Sequence, residues 1–154
     1  MWGKLAACWC ALFAAVHVYW AVGGDIGLAS SAGADLAATR PTWFVLFGLW
    51  GVAVLLSAGA AFCLLRHPWQ RVGQFAGAIL VARGVLIEVT LLTGISEVSA
   101  DERFWSLVLW NPWFVLGGGL WLMAFNRSPR RRRRARAAGG RRRRAGSRSS
   151  ARPR

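Results

Sequence analysis

Acidic residues are scarce in this chain, with six Asp and Glu against twenty Lys and Arg among 154 residues. Cysteine is scarcer still, at Cys8, Cys10 and Cys63, and histidine stops at His17 and His67. There is no C-x-x-C pair, no H-E-x-x-H and no serine in a nucleophile setting. Thiol redox, zincin and serine-hydrolase chemistry lose their usual sequence supports. Cys8 and Cys10 stand two apart, about 200° around a helix, so they cannot grip a metal as loop cysteines do. All three cysteines read as small apolar packing residues. The glycines read the same way and not as phosphate cradles. No internal repeat suggests an inverted-repeat transporter. No catalytic residue, metal site or cofactor is expected, and an enzyme is the less favoured reading.

The long apolar runs also lack polar residues at a helical period, which excludes a soluble helical bundle. Apolar residues make up 55% of the chain, and mean hydropathy is +0.37. Four stretches, about 5–22, 42–65, 72–94 and 104–125, have bilayer length, each crossing needing roughly 17 to 25 residues. Charge or turn residues bound them: Lys4 before the first, Gly23-Gly24-Asp25 after it, Arg40-Pro41 before the second, and Arg66-His67-Pro68 after it. The first run could be a cleaved leader, but its full span length and its close on His17, Tyr19 and Trp20 suit an anchored helix better. The expected fold is all-α: an integral membrane four-helix bundle over 1–126, followed by a disordered basic tail over 127–154.

Fourteen of the twenty basic residues are arginines from Arg127 onward, and the remaining six are balanced by the six acids. The net charge of +14 is therefore a property of the tail. That tail is low-complexity Arg, Ala, Gly and Ser with strong self-repulsion, so it should not fold. Its expected partner is the anionic inner leaflet, at about 1 kcal/mol per basic residue held near the surface. Specific nucleic-acid recognition is not expected, because aromatics for base stacking are absent from it.

Basic residues stay on the cytoplasmic side. Lys4, the Arg66–Arg71 loop and the tail are basic, whereas 23–41 and 95–103 carry more acids than arginines. This pattern places both termini in the cytoplasm and the protein in the cell (inner) membrane as a multi-pass chain. Trp20, Trp43, Trp105, Trp110 and Trp113 then fall near the outer boundary, and Trp2 and Trp69 near the inner one, levels that indole prefers. Trp9, Trp50 and Trp121 lie deeper and read as packing residues. His17 and His67 fall on opposite sides, which removes a bis-histidine haem.

A charge in hydrocarbon is expensive, about 2.5–3.5 kcal/mol for a central Arg on insertion scales, so Arg83 and Glu88 should face protein or water. Gly73, Gly77, Gly84 and Glu88 share one stripe of the third span, and small residues there allow close helix approach. Gly117 and Gly118 suit tight packing in the fourth. Asn111-Pro112 has the form of a helix start, with Asn as cap and Pro in the first turn; in a continuous helix, Pro112 would instead kink it. His17 and Trp20 share a face of the first span, at nearly the depth of Glu88. The candidate polar pocket is therefore His17, Trp20, Arg83, Glu88 and Asn111.

Two motifs, His17-Val18-Tyr19-Trp20-Ala21-Val22-Gly23-Gly24 with Ile26-Gly27, and Asn111-Pro112-Trp113-Phe114-Val115-Leu116-Gly117-Gly118, resemble those of the DUF3995 family of small bacterial four-helix membrane proteins. The resemblance covers about 5–125. It implies a four-span topology in a bacterial protein and no activity. The family's Tyr-Ser-Pro-Leu type sequence stands here as Trp110-Asn111-Pro112-Trp113, so no role for Asn111 transfers with it.

Two functional readings follow. In the favoured one the protein is structural or accessory, its intramembrane polar groups satisfy one another, and the tail engages lipid. In the other, the pocket around His17 and Glu88 binds or transports a proton-linked solute, an ion or a lipid headgroup; four short helices make a narrow bundle, so transport would call for a homo-oligomer.

Overall fold

The computed structural model describes residues 1–65, 69–95 and 98–126. Arg66, His67, Pro68, Ser96, Glu97 and the arginine-rich segment 127–154 lie outside the described residues, and with them the expectation of a disordered tail. Helices account for 86% of the described residues, and no strand occurs among them. Four helices are long and apolar enough to cross a membrane: Trp2–Ala21, Phe44–Leu65, Gln70–Leu92 and Ala100–Phe125.

The first crossing is α1 (Trp2–Ala21), closed by Gly23 at φ 110°. Two short helices follow, α2 (Leu28–Ala32) and α3 (Ala34–Thr39), which fold back over the end of α1. The second crossing enters as a π-helical segment, Phe44–Gly51, and continues as α4 (Val52–Leu65). The third is α5 (Gln70–Leu92). The fourth begins with α6 (Ala100–Trp105), where Ser99 Oγ accepts the Glu102 N–H at 3.2 Å and Asp101 and Glu102 complement the helix N-terminus.

From α6 the chain passes through a π turn, Ser106–Trp110, into α7 (Asn111–Phe125). The fourth span is thus one continuous helix, and Asn111 is not its cap: the residue has helical φ −66° and ψ −46°, and its N–H reaches back five residues to Ser106 O. The physical reason lies in Pro112, which has no N–H to return to the Val108 carbonyl. Widening the preceding turn gathers the irregularity in one place, as π turns commonly do.

Packing makes two antiparallel hairpins, α1 with α4 and α5 with α7, joined along α1 and α7. Between α4 and α5, and between α1 and α5, there is little contact. The α5–α7 seam is close. Gly73 lies under Phe125, Gly77 under Trp121 and the Gly118 carbonyl, and Gly84 against Val115 and the Asn111 carbonyl. Gly117 makes room for the Trp9 ring, which joins α1 to α7.

Two apolar clusters result. Ala6, Trp9, Cys10, Phe13, Cys63, Trp121 and Phe125 form one toward the end where α7 leaves the bundle. Trp20, Leu28, Phe44 and Leu49 form the other beneath α2 and α3, with Trp110 against it. Large apolar side chains such as Leu12, Phe47, Leu55, Phe75 and Leu86 point outward, a surface suited to hydrocarbon. Trp50 is among them at 40% exposed, unlike the deep Trp9 and Trp121.

Candidate functional site

The five residues of the expected pocket divide between separate contacts. His17 is buried on α1, and its Nδ1 lies 2.9 Å from the Phe13 carbonyl oxygen one turn earlier. Its ring packs edge-on between Phe13, at 4.6 Å, and Trp20, at 5.2 Å. Glu88, one turn from the end of α5, accepts a 2.9 Å hydrogen bond from Asn111 Nδ2. Asn111 is only 2% exposed, so this bond satisfies a polar side chain that water does not reach.

Arg83 places its guanidinium carbon 3.7 Å from the centre of the Phe114 ring, a cation–π contact, while remaining exposed at the helix surface. Phe114 in turn meets Phe13 at 5.4 Å. The two halves of the expected pocket are thus linked through phenyl rings, and His17 and Glu88 have different hydrogen-bond partners.

Indole N–H groups supply much of the remaining polar order, as buried tryptophans require. Trp9 donates to Trp113 O at 3.1 Å, and Trp121 to Cys10 Sγ at 3.3 Å. Trp20 donates to Ile26 O at 2.8 Å. Trp110 donates to Ser30 Oγ at 3.2 Å, and that hydroxyl donates onward to Gly27 O at 3.0 Å. The Trp113 N–H is buried without a hydrogen-bond partner.

One structural residue carried no sequence signal beyond its charge. Arg40 ends α3 in the left-handed region, at φ 42°, and turns its guanidinium onto the end of α1. Nη1 donates to Trp20 O at 3.0 Å and Nη2 to Gly24 O at 2.6 Å. These carbonyls stand at the partially negative end of the helix dipole, where a cation is favoured. The left-handed backbone costs about 1–2 kcal/mol in a non-glycine residue, and charge-assisted bonds of about 1.5–3 kcal/mol each offset it. Arg40 thereby straps the α2–α3 cap down on the bundle.

Under that cap opens a cleft of about 870 Å³. Tyr19, Trp20, Trp105 and Trp110 contribute aromatic wall, and Asp101 and Glu102 are its charged lining residues. It draws on α1, α2, α6 and the π turn, segments far apart in the chain, so no local pattern announces it. Among the described residues no group of three His, Cys, Asp or Glu is placed to hold a metal ion.

No curated protein and no solved structure matches the chain. The profile of one family, described as a protein of unknown function (DUF3995), matches residues 10–121. That range takes in α1 to α7 up to Trp121 and leaves out the arginine-rich segment. With four membrane-length helices and a match over most of its length, the chain belongs to the DUF3995 family.

Proposed function

We propose that this protein is a structural or accessory component of the bacterial cell (inner) membrane, with both termini cytoplasmic and the 127–154 segment held on anionic lipid of the inner leaflet. The observation that carries the reading is local satisfaction: the Glu88 carboxylate is met by Asn111 and the His17 ring by the Phe13 carbonyl. Polar groups paired in this way stabilise a bundle.

Lys4 and the fourteen tail arginines support the orientation by the positive-inside rule. They also support lipid engagement, since basic residues at an anionic leaflet each contribute about 1 kcal/mol. Exposed Arg83, far from either end of α5, supports association with a further copy of the chain, which would remove a charge from lipid contact.

The deciding experiment reconstitutes His17→Ala and Glu88→Gln proteins. Lowered melting temperature with unchanged proton permeability of the vesicles agrees with the accessory role. A proton or solute flux in wild-type vesicles that both substitutions abolish, with melting unchanged, would replace it by transport through the His17–Glu88 region. For the tail, flotation with phosphatidylglycerol vesicles should require residues 127–154 and weaken steeply with salt.

A further inference from the structure

We propose that the cleft beneath the α2–α3 cap is a binding site for an organic ammonium: a cation carrying apolar substituents on or near its nitrogen. The first support is the cleft itself. At about 870 Å³ it lies within the size range of small-molecule sites, and its lining joins aromatic residues to two serines and two carboxylates.

The second support is the chemistry of those rings. Trp110 spends its N–H group on Ser30 Oγ, so what it offers a ligand is ring surface, and Tyr19 and Trp105 add exposed rings beside it, while Trp20 is buried behind them. Ring faces carry negative potential and attract cations, and they favour cations with apolar substituents over small hydrated ions.

The third support is the sign of the charge. Among the described residues, Asp101 and Glu102 are the charged residues lining the cleft, and no lysine or arginine lines it. Both acids also complement the start of α6. Asp101 is exposed and Glu102 half-buried, so both carboxylates can meet a cation without leaving the helix start. An anionic ligand would find no basic side chain there.

An organic ammonium reaches such a site from two sources, a free solute or the choline or ethanolamine end of a lipid, and the two can be separated. The test titrates the full chain in maltoside micelles with benzyltrimethylammonium by calorimetry. Its uncharged counterpart is neopentylbenzene, in which carbon replaces the nitrogen. Saturable one-site binding of the cation, at least about tenfold tighter than that of the carbon analogue, is the expected result, on the scale of one or two cation–π contacts.

Asp101→Asn with Glu102→Gln should weaken the cation by a similar factor. Ala29→Phe, at an exposed position lining the cleft, should weaken binding by obstructing part of it while leaving the charges in place. Thermal melting of each variant reports whether the fold is intact. Displacement of the probe by short-chain phosphatidylcholine or phosphatidylethanolamine, and not by phosphatidylglycerol, assigns the site to a lipid headgroup; indifference to all three assigns it to a soluble cation. No saturable binding by folded wild-type protein, equal binding of cation and carbon analogue, or full binding by folded Ala29→Phe protein overturns the proposal.

Discussion

Asn111 shows how much one buried side chain can decide. The residue is 2% exposed and its Nδ2 donates to Glu88, so replacing it with leucine leaves a half-buried carboxylate without its donor. Asn111→Leu should cost about 1–3 kcal/mol, the usual range for an abandoned buried partner, and Glu88→Gln in the same chain should recover part of it. Chemical-denaturation or steric-trapping measurements of the double cycle would show this coupling; additive losses would mean that the bond contributes nothing.

Arg40 makes a parallel case at the surface of the cap. Its two terminal nitrogens reach two carbonyls at once, Trp20 O and Gly24 O. A lysine ammonium cannot reproduce that fork. Arg40→Lys should therefore recover less than half of the loss seen in Arg40→Ala, with proteolysis of the 28–39 segment as a sensitive readout.

Neither role could be read from neighbouring residues. The local pattern at Asn111 is that of a helix cap, and Arg40 counts in the sequence only as one charge in a loop. His17 differs, because a lone histidine in an apolar helix has a backbone carbonyl one turn back within reach, and Phe13 O is where its Nδ1 lies.

At the scale of elements, glycine position separates close packing from mere flexibility. A Cβ on Gly118 would come within 2.6 Å of the Gly77 carbonyl oxygen and of the Val81 side chain, so α5 and α7 would have to part. Gly119, one residue on, has nothing within 4 Å of that position. Gly118→Ala should destabilise by about 1–3 kcal/mol through overpacking. Gly119→Ala should be neutral or stabilising by up to about 1 kcal/mol, because alanine is the better helix former. Thermal unfolding of the pair tests this, and equal effects would contradict the seam.

Apolar length and bounding charge were enough to find all four crossings, since a bilayer demands both from every span. The spacing of Gly73, Gly77 and Gly84 pointed to one stripe, although not to α7 as its neighbour. The π turn at Ser106–Trp110 has no sequence signature of its own: a proline in an apolar run signals a cap or a kink, and neither implies a ladder that shifts to five residues just before it.

The arrangement of the whole molecule has a consequence that distance measurements can reach. Sequence order alone allows His17 and Glu88, at similar depth on α1 and α5, to meet across a closed four-helix ring. The observed contacts instead run α4 to α1 to α7 to α5, with α1 and α5 only weakly in contact. Cysteines placed at 88 and 111, with the native three replaced by alanine, should therefore be joined readily in membranes by a short bifunctional thiol reagent, because the native side chains already bridge the gap with a hydrogen bond. Cysteines at 17 and 88 should cross-link far less. The same comparison bears on the choice between the accessory and pocket readings, because efficient 17–88 cross-linking within one chain would bring histidine and carboxylate together at one level of the bilayer. Cross-linking between chains, identified by the mass of the product, would instead place that pairing at a contact between two copies, with exposed Arg83 on the same helix as Glu88.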